Sequence, residues 1–210
     1  MVKTVRLYIE GDKKERGKGG FISLRQGFSE FFSKWAEEEK LKIKFDNSIL
    51  GSRGDAVNIF LKVGKLYPND LVLLLIDTEC EKDINETAIL FLKKDFPNSN
   101  FKNIKDWQCH FMAQAMKSWF LADKEKLAAC YDKKFNEKSL PKHKDVEKVP
   151  KNEVVEKLKK ATKDTGNGKG KYDKGSSAGK ILREIRPQKV CDSAPHCESL
   201  FDSILKNIGE

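Results

Sequence analysis

The sequence predicts an α/β protein built on a mostly parallel sheet flanked by helices, and three observations carry that reading. Six consecutive apolar residues, 71–76, follow the turn signal Pro68-Asn69-Asp70. A short run that does not alternate reads as a strand buried on both faces, as at the centre of a parallel sheet. Upstream, the β-rich segments 4–9 and 41–45 are each followed by a stretch of helical period, giving the order β-α-β-α-β. That order is the signature of parallel strands joined by right-handed crossovers. Two of the strands also close on acids, Glu10 after the first and Asp77 and Glu79 after the third. Ligand sites in open parallel sheets lie beyond the carboxyl ends of the strands.

Taken in order, the first strand ends in Glu10-Gly11-Asp12 and a polar, glycine-rich segment to Gly20. A helix is predicted over 24–39, where Leu24, Phe28, Phe31, Phe32 and Trp35 make one apolar stripe at helical spacing. Those aromatics read as core, not as a stacking platform for bases. The strand over 41–45 precedes Gly51-Ser52-Arg53-Gly54-Asp55, and a helix from about Ala56 carries Ile59, Phe60, Val63 and Leu66 to its close at Pro68. After Glu79 come a short amphipathic piece at 89–92 and a loop rich in Asn and Lys. A fourth strand is predicted over 107–112, running into a helix through Met116, Trp119, Phe120 and Leu121 that breaks at Ala122-Asp123. Further helices are expected over 124–131, 153–161 and 176–186, the last stopping before Pro187. A final one begins at Pro195, with Pro in its first turn and Leu200, Phe201, Ile204, Leu205 and Ile208 facing the core. The organisation expected is an α/β core over 1–122 and a basic helical extension over 123–210 completing one compact unit.

The chain of 210 residues carries 41 Lys and Arg against 32 Asp and Glu, a net charge of +9. Between Lys133 and Lys174 the balance is fourteen Lys against seven acids. Such a surplus favours polyanionic partners. The longest purely apolar run, 71–76, is far short of the roughly 20 residues of a membrane helix. The charged strand at the start lacks the apolar region of a signal peptide. Five cysteines, odd in number and without a C-x-x-C pair, suit a reducing cytoplasm.

In doubly wound orders the first and third strands are neighbours, which brings Glu10 to Asp77 and Glu79. If the third strand continued through them, its period of two would point Asp77 and Glu79 the same way. Gathered carboxylates repel, and either a cation or raised pKa values must relieve them. Oxygen-only donors suit Mg²⁺ or Mn²⁺, and the matching chemistry is phosphodiester cleavage or transfer. A nucleotide-binding P-loop fits less well. Gly11 and Gly17 are separated by five residues where the motif has four, and Gly19 stands where Ser or Thr should follow Lys18. The later Gly175-Ser176-Ser177-Ala178-Gly179-Lys180 is one residue short and runs into Ile181.

Ile9-Glu10-Gly11 closing the first strand, with the acid-x-acid Asp77-Thr78-Glu79 closing a Leu-rich later strand, resembles the Toprim fold. That fold occurs in primases, type IA and II topoisomerases and overcoming-lysogenization-defect nucleases. More specifically, four segments resemble a bacterial Toprim-like family often encoded beside an ATPase in phage-defence loci. They are Gly51-Ser52-Arg53-Gly54-Asp55-Ala56, the run from Leu74 to Glu79, the run from His110 to Asp123, and Tyr172-Asp173-Lys174-Gly175. The resemblance implies metal ligation and catalysis by Glu10, Asp77 and Glu79, the last a Glu where the family pattern has the shorter Asp. It also implies a Mg²⁺-dependent nuclease acting on DNA or RNA as the effector of a defence or toxin-like system. An ATPase partner and self-association are the accompanying expectations.

The remaining candidates surround these acids. Arg53 either clamps a substrate phosphate or pairs with one of the acids. Asp55 either caps the following helix or joins the site with Asp12. His110 and Gln114, four apart, are candidates for one helix face. Lys171, Lys174 and Lys180, with Lys169, lie on or beside a flexible glycine-rich loop suited to phosphate contacts. His196-Cys197 with Cys191 is too sparse for a zinc site. The alternative function is a non-catalytic subunit that uses the same fold to bind nucleic acid or the ATPase.

Overall fold

The computed structural model describes residues 4–11, 17–63, 66–166, 171–173 and 175–209, without the side chains of 17–19. Four strands, β1 Thr4–Glu10, β2 Lys44–Leu50, β3 Leu71–Asp77 and β4 Cys109–Met112, form one sheet in the order β2-β1-β3-β4. All three pairings are parallel. The protein is therefore an α/β structure of Rossmann-like kind, and β3 lies inside the sheet, as its unbroken apolar run requires.

Helices α1 (Gly17–Glu38), α2 (Arg53–Val63) and α3 (Ala88–Asp95) are followed by α4 (Lys124–Ala129), α5 (Lys151–Ala161), α6 (Ser177–Glu184), α7 (Pro187–Cys191) and α8 (Pro195–Asn207). One face of the sheet, through Tyr8, Val72, Leu74, Ile76 and Phe111, packs on Phe60 of α2 and Leu92 of α3. The other, through Leu7, Leu73 and Leu75, packs on the α1 stripe of Phe28, Phe31, Phe32 and Trp35. Trp119, Leu158, Leu182 and Phe201 join this second core, so the basic C-terminal half supplies much of the layer over that face. Trp35 stacks on Phe201 at 4.2 Å between ring centres, and Phe31 on Trp119 at 5.6 Å.

Several boundaries differ from expectation for identifiable reasons. α1 starts at Gly17, upstream of its apolar stripe. β2 runs from Lys44 to Leu50, through the turn-like Asp46-Asn47-Ser48, because pairing with β1 supplies the hydrogen bonds that local propensity does not. Met116–Leu121 is a 3₁₀ helix; α6 ends at Glu184, before Pro187 as expected, and Pro187 then opens the further short helix α7. α2 starts at Arg53, not Ala56. Ser52 and Asp55 form a reciprocal box there: Ser52 N–H donates to Asp55 Oδ2 at 2.9 Å and Asp55 N–H to Ser52 Oγ at 3.2 Å.

The junction between the halves is tied by Asp123, 2% exposed, which accepts from Arg186 Nε and Nη2 at 2.7 Å each and from Arg186 N–H at 3.0 Å. Burial pushes this carboxyl up, but the hydrogen bonds from Arg186 outweigh it and hold the pKa below the usual range. The stabilisation is therefore present above the ordinary Asp pKa and lost as pH falls through the lower folded value. Asp123 also caps α4 through Lys126 N–H. Asp123→Ala is expected to cost about 3 kcal/mol by urea denaturation at neutral pH. Among the described residues no helix is long and apolar enough to cross a membrane.

Candidate active site

The carboxyl ends of β1 and β3 lie side by side, because the sheet pairs Ile9 with Leu75. Glu10 follows the parity of Tyr8, toward α2 and α3, whereas Asp77 follows Leu75, toward the opposite layer. The two acids thus approach the sheet edge from its two faces. Arg53, the first residue of α2, joins them. Its Nε lies 3.3 Å from Glu10 Oε2, its Nη2 donates to the Asp77 carbonyl at 2.8 Å, and its Nη1 pairs with Asp95 at 2.7 Å. The guanidinium carbon is 5.1 Å from the centre of the Phe91 ring. Of the two roles considered for Arg53, pairing with the acids is the one the structure shows.

Burial pushes the Glu10 carboxyl up, and the charge of Asp77 pushes it further. Arg53 and the Asp77 main-chain N–H pull it back, leaving the pKa at about 7. Asp77 is also raised by burial, with Glu79 adding to the rise; Met116 N–H, Lys151 and Lys117 oppose it. Met116 N–H donates to Asp77 Oδ1 at 3.0 Å. Both acids are therefore short of counter-charge despite the cations around them, a condition that hard-cation binding relieves.

Glu79 departs from the expected geometry. β3 ends at Asp77, and Glu79 has φ +63°, so the period of two does not carry through. Its side chain pairs with Lys151, at the start of α5. Its N–H donates to the carbonyl of Gln114, itself at φ +59°, at 3.0 Å, and Gln114 N–H donates to Thr78 Oγ1 at 2.8 Å. Two left-handed residues without the freedom of glycine thus lock the ends of β3 and β4 together, each at a cost of about 1–2 kcal/mol. Glu79→Gly releases that strain while losing an exposed ion pair worth about 1 kcal/mol or less. Its thermal stability is expected to stay within about 1 kcal/mol of the parent, and a larger loss in calorimetry counts against the strain reading.

The other candidates are dispersed. Asp55 serves the α2 box, as the third helical residue and not the cap itself. His110 sits within β4, not on a helix with Gln114, and its Nε2 lies 2.8 Å from the Trp107 carbonyl. Burial is the main force pushing its pKa down to about 4. Gln114 accepts from Lys151 N–H at 3.3 Å and so does stand beside the Glu79 turn. Lys180 donates to the Cys130 carbonyl at 2.8 Å, at the end of α4, and so is engaged away from the acids. Lys171 is exposed. Asp12, Lys169 and Lys174 lie outside the described residues.

Asp95, Lys117 and Lys151 belong to the site and were not anticipated. Asp95 ends α3, and Lys151 follows Pro150 in a lysine-rich stretch, where neither stands out from its neighbours. Among the described residues no group of three or more His, Cys, Asp or Glu side chains is gathered closely enough to hold a metal ion. The two acids that act on each other are Glu10 and Asp77; Glu10 is paired with Arg53 and Glu79 with Lys151.

Fold and site together define a Rossmann-like α/β protein with an acid–arginine centre at the carboxyl edge of its sheet. The chain belongs to the family described as Domain of unknown function (DUF4276), which matches residues 21–205. The match begins after Glu10 and takes in Arg53, Asp77, Glu79, Asp95 and Lys151. No curated protein and no solved structure matches the chain.

Proposed function

We propose that this chain is a Toprim-like nuclease dependent on Mg²⁺ or Mn²⁺ that hydrolyses phosphodiesters of DNA or RNA. The observation that carries the reading is Glu10, held beside Asp77 at the sheet edge with its pKa raised to about 7. A carboxyl with that pKa is half protonated near neutrality, which suits it to take and return a proton. Glu10 and Asp77 would hold the cation. When bound, that cation supplies polarisation of the phosphoryl oxygen and acidification of the attacking water. Arg53 orients Glu10 and offers positive charge to a phosphate arriving at the same edge. Lys117 and Lys151 add positive charge beside Asp77. The proposal includes a cytoplasmic setting, supported by five free cysteines. It also includes an ATPase partner, self-association and a role in anti-phage defence or a toxin-like system, supported by the segment resemblances.

The test is incubation of the purified chain with plasmid, single-stranded DNA, ribosomal RNA and tRNA, with Mg²⁺, Mn²⁺ or a chelator. Cleavage is expected with either metal, and a drop of at least about a hundredfold in Asp77→Asn. Equal cleavage by that variant, or none on any substrate, overturns the assignment. The competing reading is a non-catalytic binding subunit, and the engagement of Glu10 by Arg53 favours it. Nucleic-acid binding without heat of Mg²⁺ or Mn²⁺ binding in calorimetry would decide for that reading.

A further inference from the structure

Away from the sheet edge, His110 of β4 and His196 of the first turn of α8 both line a cavity of about 200 Å³. Both imidazoles are buried, and each has one ring nitrogen already assigned. His110 Nε2 lies 2.8 Å from the Trp107 carbonyl oxygen, which can only accept, so the proton is on Nε2 and the lone pair on Nδ1. His196 Nδ1 lies 2.7 Å from Glu147 Oε2, and that carboxylate also accepts from His196 N–H at 3.2 Å. The lone pair of neutral His196 is therefore on Nε2, which is buried and has no hydrogen-bond partner among the described residues.

A carbonyl behind one imidazole and a carboxylate behind the other is the arrangement that orients histidines as metal ligands. Asp106 and Glu86 line the cavity, Glu86 paired with Lys82 at 3.2 Å, and among the described residues no Lys or Arg lines it, in a chain of net charge +9. Ser199 and Ser203, three and seven residues beyond His196 on α8, add hydroxyl oxygens.

We propose that this cavity binds a divalent transition metal of the imidazole-preferring class, zinc or a near neighbour, through His110 Nδ1 and His196 Nε2, with Glu147 as the positioning residue. Nitrogen donors separate it from the oxygen-donor centre at the sheet edge, which suits harder cations. No third His, Cys, Asp or Glu joins the pair among the described residues. Water or an incoming ligand fills the remaining positions, as in open zinc sites and unlike closed structural ones.

The chain has three histidines, which makes ¹⁵N-histidine NMR of the full-length protein decisive. Zn²⁺ is titrated into an Asp77→Asn, Cys80→Ser background, which removes the edge carboxylate and the exposed thiol from competition. The expected result is a metal-bound shift at Nδ1 of one histidine and Nε2 of another, with His143 unmoved. Glu147→Gln leaves both ligands in place and is expected to weaken Zn²⁺ about tenfold or more, while His196→Gln removes both metal-bound signals. The unsubstituted histidines in the parent background make the test independent of whether either variant folds. No shift, a shift at His143 alone, or a shift at only one of the two buried imidazoles overturns the proposal.

Discussion

Glu10→Gln is expected to abolish the proposed metal-dependent cleavage and, at the same time, to stabilise the fold relative to the parent above neutral pH. The Glu10 carboxyl has its pKa raised to about 7 from an ordinary value of 4.5, through burial and the neighbouring Asp77. A raised acid stabilises the fold fully below its unfolded pKa and loses that contribution as pH rises through the folded one. The window therefore runs from about pH 4.5 to 7, and its full depth is about 3 kcal/mol. Gln has no proton to lose, and Arg53 keeps Asp95 as a partner. The variant-minus-parent difference in urea stability should be small at pH 5 and grow toward about 3 kcal/mol by pH 8. Parallel stability curves from pH 5 to 8 would show that Glu10 is not the perturbed group. The same titration predicts that Mg²⁺ or Mn²⁺ binding strengthens with pH through neutrality and releases protons, because the cation needs the carboxylate form.

Gly179→Ala is expected to cost about 3 kcal/mol, at the upper end of what overpacking does. A Cβ at Gly179 of α6 would lie 2.1 Å from the main-chain oxygen of Ser23 in α1, and one at Gly27 2.5 Å from the Gly179 carbonyl oxygen. Both clashes are with backbone, so no side-chain rotation relieves them. α1 would have to move away from α6, and with it Phe28, Phe31, Phe32 and Trp35, which pack on the sheet. Gly54→Ala is the control, since its nearest neighbours are at 3.7 Å, ordinary contact. Thermal denaturation should show a large drop for Gly179→Ala and Gly27→Ala and almost none for Gly54→Ala. The double variant should cost less than the sum of the two, because a single separation of the helices relieves both contacts.

The parts of the fold legible in the sequence were those governed by local pattern. The unbroken apolar run of β3 and the i, i+4, i+7, i+8 stripe of α1 could only be buried in one way. The acid at the end of β1 could likewise be tied to β3 once the strands were taken as parallel. Less was legible where pairing overrode propensity. The strand expected over 41–45 instead runs from Lys44 to Leu50, taking in Asp46-Asn47-Ser48, since pairing with β1 supplies the hydrogen bonds. The stop before Pro187 was legible, α6 ending at Glu184, but not the new helix α7 that Pro187 starts, where its missing N–H costs nothing.

By itself, the sequence determined the α/β class, the interior place of β3 and the delivery of Glu10 and Asp77 to one edge, because period and strand order are properties of the chain. Only the tertiary structure decided which charges those acids meet. Arg53 reaches Glu10 and is itself held by Asp95, Lys151 draws Glu79 away through a left-handed turn, and Lys180 ends on a distant carbonyl. Pairing between charges far apart in sequence depends on packing geometry, and a lysine-rich sequence presents too many equivalent partners for spacing to choose among them.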